Sequence, residues 1–199
     1  MELQKVYAIY FSPTGTTEKA VIAAAKGTNL PGARVDLTAW KSRQNYHRSF
    51  TPNEVVVVGL PVYGGRLPGR IDDFFTCLTG NGTPAIAIVM YGNRDYEDAL
   101  IELKIRLEER GFKVIAGAAF VGQHTFSKNI AGGRPNEDDL LMAKEFGRKA
   151  VAGIDNAMTG TLTVRGNHPY VREIFDPMAA GRYNGWAQVG TTADCSFCG

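Results

Sequence analysis

Hydroxyl-bearing residues and one glycine separate an apolar run from a stretch of helix-forming residues near the start of the chain. This segment is Ser12-Pro13-Thr14-Gly15-Thr16-Thr17, called here the first loop (residues 12–17). A helix that begins directly after such a loop leaves its first backbone N–H groups without intrahelical partners, and the helix dipole favours an anion beside them. Gly15 lets the backbone approach a ligand closely, whereas Pro13 has no N–H to donate. The pattern therefore predicts a phosphate-binding site.

The composition of the first loop restricts which phosphate it can bind. A nucleotide-triphosphatase loop needs a lysine for the outer phosphates, and residues 12–17 contain none. The dinucleotide fingerprint G-x-G-x-x-G needs more glycines than the single Gly15. A terminal phosphate monoester, held by amides and hydroxyls, remains. The alternative is a hydroxyl-rich helix N-cap that binds no ligand.

Two later segments place glycine beside tyrosine directly after apolar runs. The second loop (residues 61–66) is Pro61-Val62-Tyr63-Gly64-Gly65-Arg66, and the third loop (residues 91–96) is Tyr91-Gly92-Asn93-Arg94-Asp95-Tyr96. Tyrosine offers a flat aromatic wall, and glycine offers an accessible, flexible backbone, which together suit a planar heterocycle. The alternative is a pair of ordinary turns with surface tyrosines. Arg66 and Arg94 either balance negative charge on a ligand or are solvated.

The first loop resembles the [ST]-x-T-G-x-T loop with which flavodoxins hold the phosphate of FMN. Residues 59–68, 91–94 and 122–127 are similar to segments of flavodoxin-type domains that are fused to ferredoxins. The resemblance covers about residues 5–152. It implies that the first loop binds the FMN phosphate and that the second and third loops enclose the flavin ring. The implied cofactor-binding residues are Ser12, Pro13, Thr14, Gly15, Thr16, Thr17, Pro61, Val62, Tyr63, Gly64, Gly65, Arg66, Tyr91, Gly92, Asn93, Arg94 and Tyr96.

The function implied by this resemblance is FMN-dependent electron transfer, in which no side chain acts as a catalytic acid or base. The expected partner is a redox protein, or the iron–sulfur clusters of a fused ferredoxin domain that this chain lacks. The alternative is an FMN-dependent NAD(P)H:quinone-type reductase, although the sequence shows no nicotinamide motif. A receiver-like module is excluded, because its acidic cluster would follow the first strand, where this chain has Tyr10-Phe11-Ser12. His124 is expected near the same edge of the sheet, without an assigned role.

Two cysteines near the end of the chain have the spacing of metal ligands. Cys195 and Cys198 match the first two positions of the bacterial ferredoxin run C-x2-C-x2-C-x3-C-P, and the sequence stops at Gly199. Two thiolates cannot fill the four positions of a 4Fe-4S cluster. We therefore expect a truncated chain or a longer natural protein that carries a ferredoxin domain. The alternatives are a redox-active CxxC or two free thiols.

The elements that must position the loops follow from the hydrophobic pattern. Buried strands are predicted at residues 6–11, 54–60 and 85–90, a half-polar edge strand at 33–38 and a fifth strand at 113–121. Helices are predicted at 19–26, 68–78, 96–110 and 136–152. The expected fold class is α/β, a flavodoxin-like doubly wound five-stranded parallel sheet of order 2-1-3-4-5 with helices on both faces. All three loops would then lie at the carboxyl edge of the sheet.

Length and composition are typical of one globular domain with an extension. The chain has 199 residues, 44% of them hydrophobic and 21% charged. We expect the FMN-binding domain to span residues 1–156 and an irregular C-terminal extension, with short strands such as residues 162–164, to span 157–199. The formal net charge of +2 favours neither nucleic acid nor a membrane surface as partner. No signal peptide or membrane-spanning apolar run is evident, so we expect a cytoplasmic protein.

Overall fold

A computed structural model of the protein describes residues 2–69 and 71–171. Five strands form its main sheet: β1 (Lys5–Tyr10), β2 (Gly32–Asp36), β4 (Glu54–Pro61), β6 (Thr83–Tyr91) and β7 (Phe112–Val121). All neighbouring strands are parallel, and their order is β2-β1-β4-β6-β7. Counted within this sheet alone, that order is 2-1-3-4-5, so the predicted flavodoxin-like doubly wound fold is confirmed.

Helices cover both faces of the sheet. One face carries α1 (Thr16–Gly27), α5 (Glu137–Ala152) and α6 (Ile154–Thr159), and the other carries α3 (Asp72–Thr76) and α4 (Ala99–Glu109). A further short helix, α2 (Trp40–Asn45), packs against α3. Because helices cover both faces, the inner strands β1, β4 and β6 bury both sets of alternating side chains, as the strands of parallel sheets commonly do.

The central strand β4 shows how the two cores are built. Val55 and Val57 contact the α1 side, whereas Val56, Val58 and Leu60 contact the α4 side, and all five are fully buried. Gly59 interrupts this run because α1 crosses there. A Cβ at Gly59 would overlap the side chain of Val21 and lie 3.1 Å from Cγ2 of Thr17. The small residue in β4 thus lets the start of α1 approach the sheet closely.

Two predicted helices have other bounds in the structure, and one stretch without a predicted element contains two short ones. The helix expected at 68–78 is shortened to α3, because Glu102 accepts the Leu67 amide and residues 78–79 form β5 (Leu78–Thr79). The stretch 41–50, too irregular to assign from sequence, contains α2 and β3 (Arg48–Ser49), which pairs with β5. The helix expected at 96 begins at Ala99, because Asp95 Oδ1 accepts the amides of Tyr96 and Glu97 in a turn.

The chain beyond α5 packs back onto the sheet as far as the structure describes it. Leu162 and Val164 pack against the core on the α4 face, but residues 162–164 form no strand, so that expectation is wrong. The domain boundary predicted after residue 156 falls within α6 and stays a prediction. Cys195 and Cys198 lie outside the described residues. None of the helices in residues 2–69 and 71–171 is long and apolar enough to cross a bilayer.

Candidate functional site

The first loop presents unpaired backbone donors at the start of α1. Gly15, the N-cap residue, has a left-handed conformation with φ 77°, which glycine adopts without a steric penalty. Within the described part of the chain, the amides of Thr14, Thr16 and Thr17 have no hydrogen-bond acceptor. A Cβ built on Gly15 would meet nothing within 4 Å, so the loop is open on that side. Three free N–H groups at a helix N-terminus form a suitable anion site.

Side chains from neighbouring elements hold the first loop in this shape. The Ser12 amide donates to Thr38 Oγ1 at 2.9 Å, and Ser12 Oγ accepts the Glu18 amide at 3.0 Å. Ser12 therefore satisfies one N–H of the first helical turn and leaves the two before it free. The hydroxyls of Thr14 and Thr16 lie 3.3 Å apart. A helix N-cap without a ligand, the alternative considered for this loop, explains the hydrogen bond of the Glu18 amide. It does not explain why the amides of Thr14, Thr16 and Thr17 are free.

The second loop is a tight two-glycine turn. Tyr63 and Arg66 exchange backbone hydrogen bonds of 2.8 and 3.2 Å, and Gly64 and Gly65 between them have φ values of 62° and 87°. The Tyr63 side chain is 48% exposed, and a Cβ at Gly64 would point into open space. The turn therefore presents a tyrosine and an accessible peptide at the edge of the sheet, and their contact with a ligand stays a prediction.

The third loop contains a tilted pair of tyrosine rings and two ion pairs. The rings of Tyr91 and Tyr96 have centroids 5.5 Å apart, and Asn93 adopts φ 67°. Arg94 is paired with Glu97 at 2.7 Å, so this arginine is neither simply solvated nor unpaired. The amide of Glu97 and, next, the Arg165 guanidinium hold the pKa of Asp95 below its usual range. The loop is rigidly bonded, with Tyr91 and Tyr96 only half buried.

Backbone contacts bring the predicted loops to one edge of the sheet. The Val62 amide donates to the Met90 carbonyl, and the Asp98 amide donates to the Gly65 carbonyl at 2.9 Å, which joins the second loop to the chain around the third. The Gly122 amide donates to Tyr91, and a Cβ on Gly122 would lie 3.3 Å from Thr16 Cβ. The segment after β7 thus lies between the third loop and the start of α1 and contacts both.

One predicted side chain does not belong to this open edge. Arg66 is 5% exposed and its Nε donates to Glu102 at 2.7 Å, while its guanidinium lies 3.8 Å from the centre of the Tyr170 ring. The second loop turns its backbone toward solvent and this arginine into the protein. Neither of the two roles considered for the Arg66 side chain, ligand counter-charge or solvated surface group, agrees with this position.

His124 lies at the same edge, beside the third loop. Its Nδ1 accepts the Phe126 amide at 3.1 Å, which leaves Nε2 to carry the proton of the neutral ring. A Cβ on Gly92 would lie 2.6 Å from Cδ2 of His124, so glycine is needed where the two segments meet. Among the described residues, no group of three or more His, Cys, Asp or Glu is placed to hold a metal ion.

Sequence reasoning missed two contributors to the site. Thr38 orients Ser12 from the end of β2, and a threonine after an edge strand gives no signal of that role. Asp98 precedes the apolar pattern of α4 as a helix N-cap would, but its side chain makes no cap hydrogen bond. It accepts instead from residues 167 and 171, which follow it by 69 and 73 positions. Contacts between such distant positions leave no trace in local periodicity.

Comparisons with known proteins agree with the fold. No protein-family model and no curated protein sequence matches the chain. A flavodoxin from the domain Archaea superposes with a TM-score of 0.51 at 15% sequence identity, over 76% of this chain and 99% of its own. Oxidised flavodoxin 1 from Bacillus cereus superposes with a TM-score of 0.51 at 18% identity, over 76% of this chain and 99% of its own. At these identities the similarity is one of fold.

Proposed function

We propose that this protein binds FMN at the carboxyl edge of its sheet and transfers electrons through it. The observation that carries the proposal is the set of free amides at Thr14, Thr16 and Thr17, which lies beside two glycine–tyrosine loops on the same edge. A phosphate monoester fits the amides, and a planar ring fits the loops. The two flavodoxins of similar fold support the choice of cofactor.

Each loop has a separate task in this proposal. The first loop neutralises the phosphate with amides and hydroxyls rather than with a cation. Tyr63, Tyr91 and Tyr96 supply aromatic walls, and the peptides of the Gly64-Gly65 turn supply donors and acceptors for ring heteroatoms. FMN itself would supply the redox chemistry, so the protein needs to bind, orient and shield it. No residue of these loops is required as a nucleophile or a general base.

The phosphate half of the site can be tested by removing a single amide. Thr16 is the first residue of α1, where proline is tolerated, so Thr16→Pro deletes one N–H and one hydroxyl. Thr16→Val deletes the hydroxyl alone and serves as the matched control. We expect Thr16→Pro to weaken FMN binding by about tenfold or more, since a hydrogen bond to a charged group contributes roughly 1.5–3 kcal/mol. Riboflavin, which lacks the phosphate, should bind both variants as it binds the parent protein.

Calorimetry with FMN and with riboflavin provides the measurement, and circular dichroism checks that both variants fold. Tighter binding of FMN than of riboflavin by the parent protein supports the proposal. Equal affinities for the two flavins would contradict a phosphate site in the first loop. If neither flavin binds, the proposed function is wrong. Stopped-flow mixing of the flavin-loaded protein with NAD(P)H tests the reductase alternative, for which we expect no rapid hydride transfer.

The proposed electron partner is an iron–sulfur cluster in a ferredoxin domain that follows this chain. The spacing of Cys195 and Cys198 supports this part. Iron and acid-labile sulfide should accompany flavin in the protein purified anaerobically from its natural source, and its mass should exceed the 21.6 kDa of this chain. A native protein of this length without iron would contradict the cluster and leave the FMN proposal intact.

A further inference from the structure

The last described segment, residues 160–171, which we call the strap, is bonded to the body of the protein by a buried carboxylate among other contacts. Asp98 is 1% exposed. Its Oδ1 accepts the backbone and side-chain N–H groups of Asn167 at 2.8 and 3.0 Å, and its Oδ2 accepts the Val171 amide at 2.8 Å. Gly166 passes so close that a Cβ there would lie 3.4 Å from Asp98 Cα. The carboxylate thus fixes both ends of residues 167–171.

The strap also contacts one residue or more of each glycine–tyrosine loop. Arg165 pairs with Asp95 at 2.7 Å and places its guanidinium 5.0 Å from the centre of the Tyr96 ring. Tyr170 stacks on the Arg66 guanidinium, 3.8 Å from ring centre to carbon. The first contact secures the third loop and the second secures the residue that ends the two-glycine turn.

Asp98 joins these contacts to the turn itself. Its backbone N–H donates to the carbonyl of Gly65, so the same residue holds the strap with its side chain and the second loop with its backbone. Gly65 and its neighbour Gly64 both need positive φ values, and a two-glycine turn has many alternative conformations in the absence of restraint. Besides the two hydrogen bonds between Tyr63 and Arg66, the turn therefore has a restraint from outside it, the Asp98 amide.

We propose that Asp98 is a positioning residue for the flavin ring, which it serves by coupling the strap to the turn at Tyr63–Arg66. The role in ring binding rests on the proposed function, whereas the coupling itself is a property of the protein without ligand. Asp98 does not contact the ring in this proposal. It fixes the peptide conformation that the ring meets, so that less conformational entropy is lost when the ring binds.

Asp98→Asn tests the coupling with a minimal change of shape. An amide has one acceptor oxygen and one donor NH₂, so the substituted side chain must direct a donor toward another donor, at either Val171 or Asn167. Glu54→Gln is the matched control, because the Glu54 carboxylate, like that of Asp98, accepts a backbone amide, here that of Thr51. Its other oxygen accepts a hydrogen bond from Arg48. Glu54 begins β4 and lies at the opposite edge of the sheet.

Amide hydrogen exchange in the ligand-free, full-length chain gives the first readout. In Asp98→Asn we expect exchange to accelerate roughly tenfold at Asn167 and Val171, the change that loss of one such hydrogen bond corresponds to, and also at Tyr63, Arg66 and residue 98. Amides in the middle of β6 should exchange as in the parent protein. Glu54→Gln should accelerate Thr51 and leave the turn unchanged. Acceleration confined to the strap would overturn the coupling.

Ligand binding gives the second readout and separates the ring from the phosphate. Asp98→Asn should lower the affinities for riboflavin and for FMN by the same factor, about tenfold. It should leave the affinity for inorganic phosphate unchanged. Equal loss for phosphate would indicate general damage to the site and overturn a specific role at the ring. If the parent protein binds neither flavin, the proposed function fails, and the exchange experiment still decides whether Asp98 couples strap and turn.

Discussion

Two adjacent glycines in the second loop share a backbone conformation but differ in their surroundings. Both have positive φ, which costs an L-residue roughly 1–2 kcal/mol. A Cβ at Gly64 would meet open space, whereas one at Gly65 would overlap the side chain of Glu97. We expect Gly64→Ala to lower the free energy of unfolding by about 1 kcal/mol and Gly65→Ala to lower it further.

Urea denaturation of the two variants measures the difference, and each is the control for the other because the backbone penalty is common to both. Gly65→Ala should also release Glu97 from Arg94, to which it is bonded at 2.7 Å. Equal destabilisation by the two substitutions would show that the Glu97 side chain can move aside without a loss of folding free energy. Riboflavin affinity should fall in both variants, since both change the turn that is proposed to meet the ring.

Tyr10, at the end of β1, contributes to the stability of the protein at alkaline pH through its contact with the first turn of α1. Burial and, next, the hydrogen bond from its hydroxyl to Glu18 raise its pKa from 10.0 to about 12. Because the folded-state pKa is the higher one, this contribution to stability is complete below pH 10 and is lost as the pH rises toward 12. We expect Tyr10→Phe to destabilise the protein by about 1 kcal/mol at neutral pH, for the lost hydrogen bond.

The destabilisation caused by Tyr10→Phe should shrink as the pH rises above 10, by up to roughly 1.4 kcal/mol per pH unit. Denaturation curves of both proteins at several pH values between neutrality and pH 11 give this difference directly. Other tyrosines titrate in both proteins and cancel. A difference that stays constant across this range would show that Tyr10 ionises as readily in the folded protein as in the unfolded chain.

The contact between α1 and α5 determines where the first loop lies, and it depends on glycine. A Cβ at Gly147 would overlap the carbonyl oxygen of Ala24, and one at Gly27 would overlap that of Lys144. Alanine normally stabilises a helix interior by about 1 kcal/mol relative to glycine. We nevertheless expect Gly147→Ala to destabilise the protein by roughly 1–3 kcal/mol, because the overlap is with backbone and the helices must separate.

Thermal unfolding of Gly147→Ala measures this effect. Met142→Ala, at an exposed position of the same helix, should change stability by less than about 0.5 kcal/mol and serves as the control. A shift of α1 away from α5 should also lower FMN affinity more than riboflavin affinity, because two of the three free amides, those of Thr16 and Thr17, belong to α1. A stabilised Gly147→Ala variant would show that the helices can separate freely.

The elements that carry the site could be predicted where local pattern and global fold agree. The apolar runs of β1, β4 and β6 are buried on both faces and are hydrophobic throughout, so they and the sheet order followed from sequence. The helix α5 was also predictable, because Asn136 and Asp139 form a capping box at its start. The three loops that follow β1, β4 and β6 could be located from their residue types, from the apolar runs before them and from the resemblance of their sequences.

Elements whose shape depends on distant partners could not be predicted. The loop before α3 is held by Glu102, which lies 35 residues after Leu67, and the strap is held by Asp98. Arg66 illustrates the same limit within the site, since its sequence position next to two glycines suggests exposure. Only the tertiary pairing with Glu102 and Tyr170 shows why the side chain is buried.

The charge of the whole molecule bears on how it would meet an electron partner. The chain has a formal net charge of +2. Strong electrostatic steering requires opposite charges on the two partners and can raise association rates by about 10–10³. A nearly neutral protein lacks that long-range attraction. An electron partner on the same polypeptide would not need it.

We therefore expect electron transfer between the flavin-loaded protein and an external acidic ferredoxin to depend weakly on salt. Between ionic strengths of about 0.01 M and about 1 M, the screening length falls from roughly 30 to 3 Å, and the second-order rate constant should change by less than about tenfold. Stopped-flow absorbance measures it. Lys149→Glu, on the exposed side of α5, alters the net charge far from the loops and should leave the rate nearly unchanged. A steep decrease with salt in the parent protein would show that local charge at the sheet edge steers a separate partner, against transfer within one polypeptide.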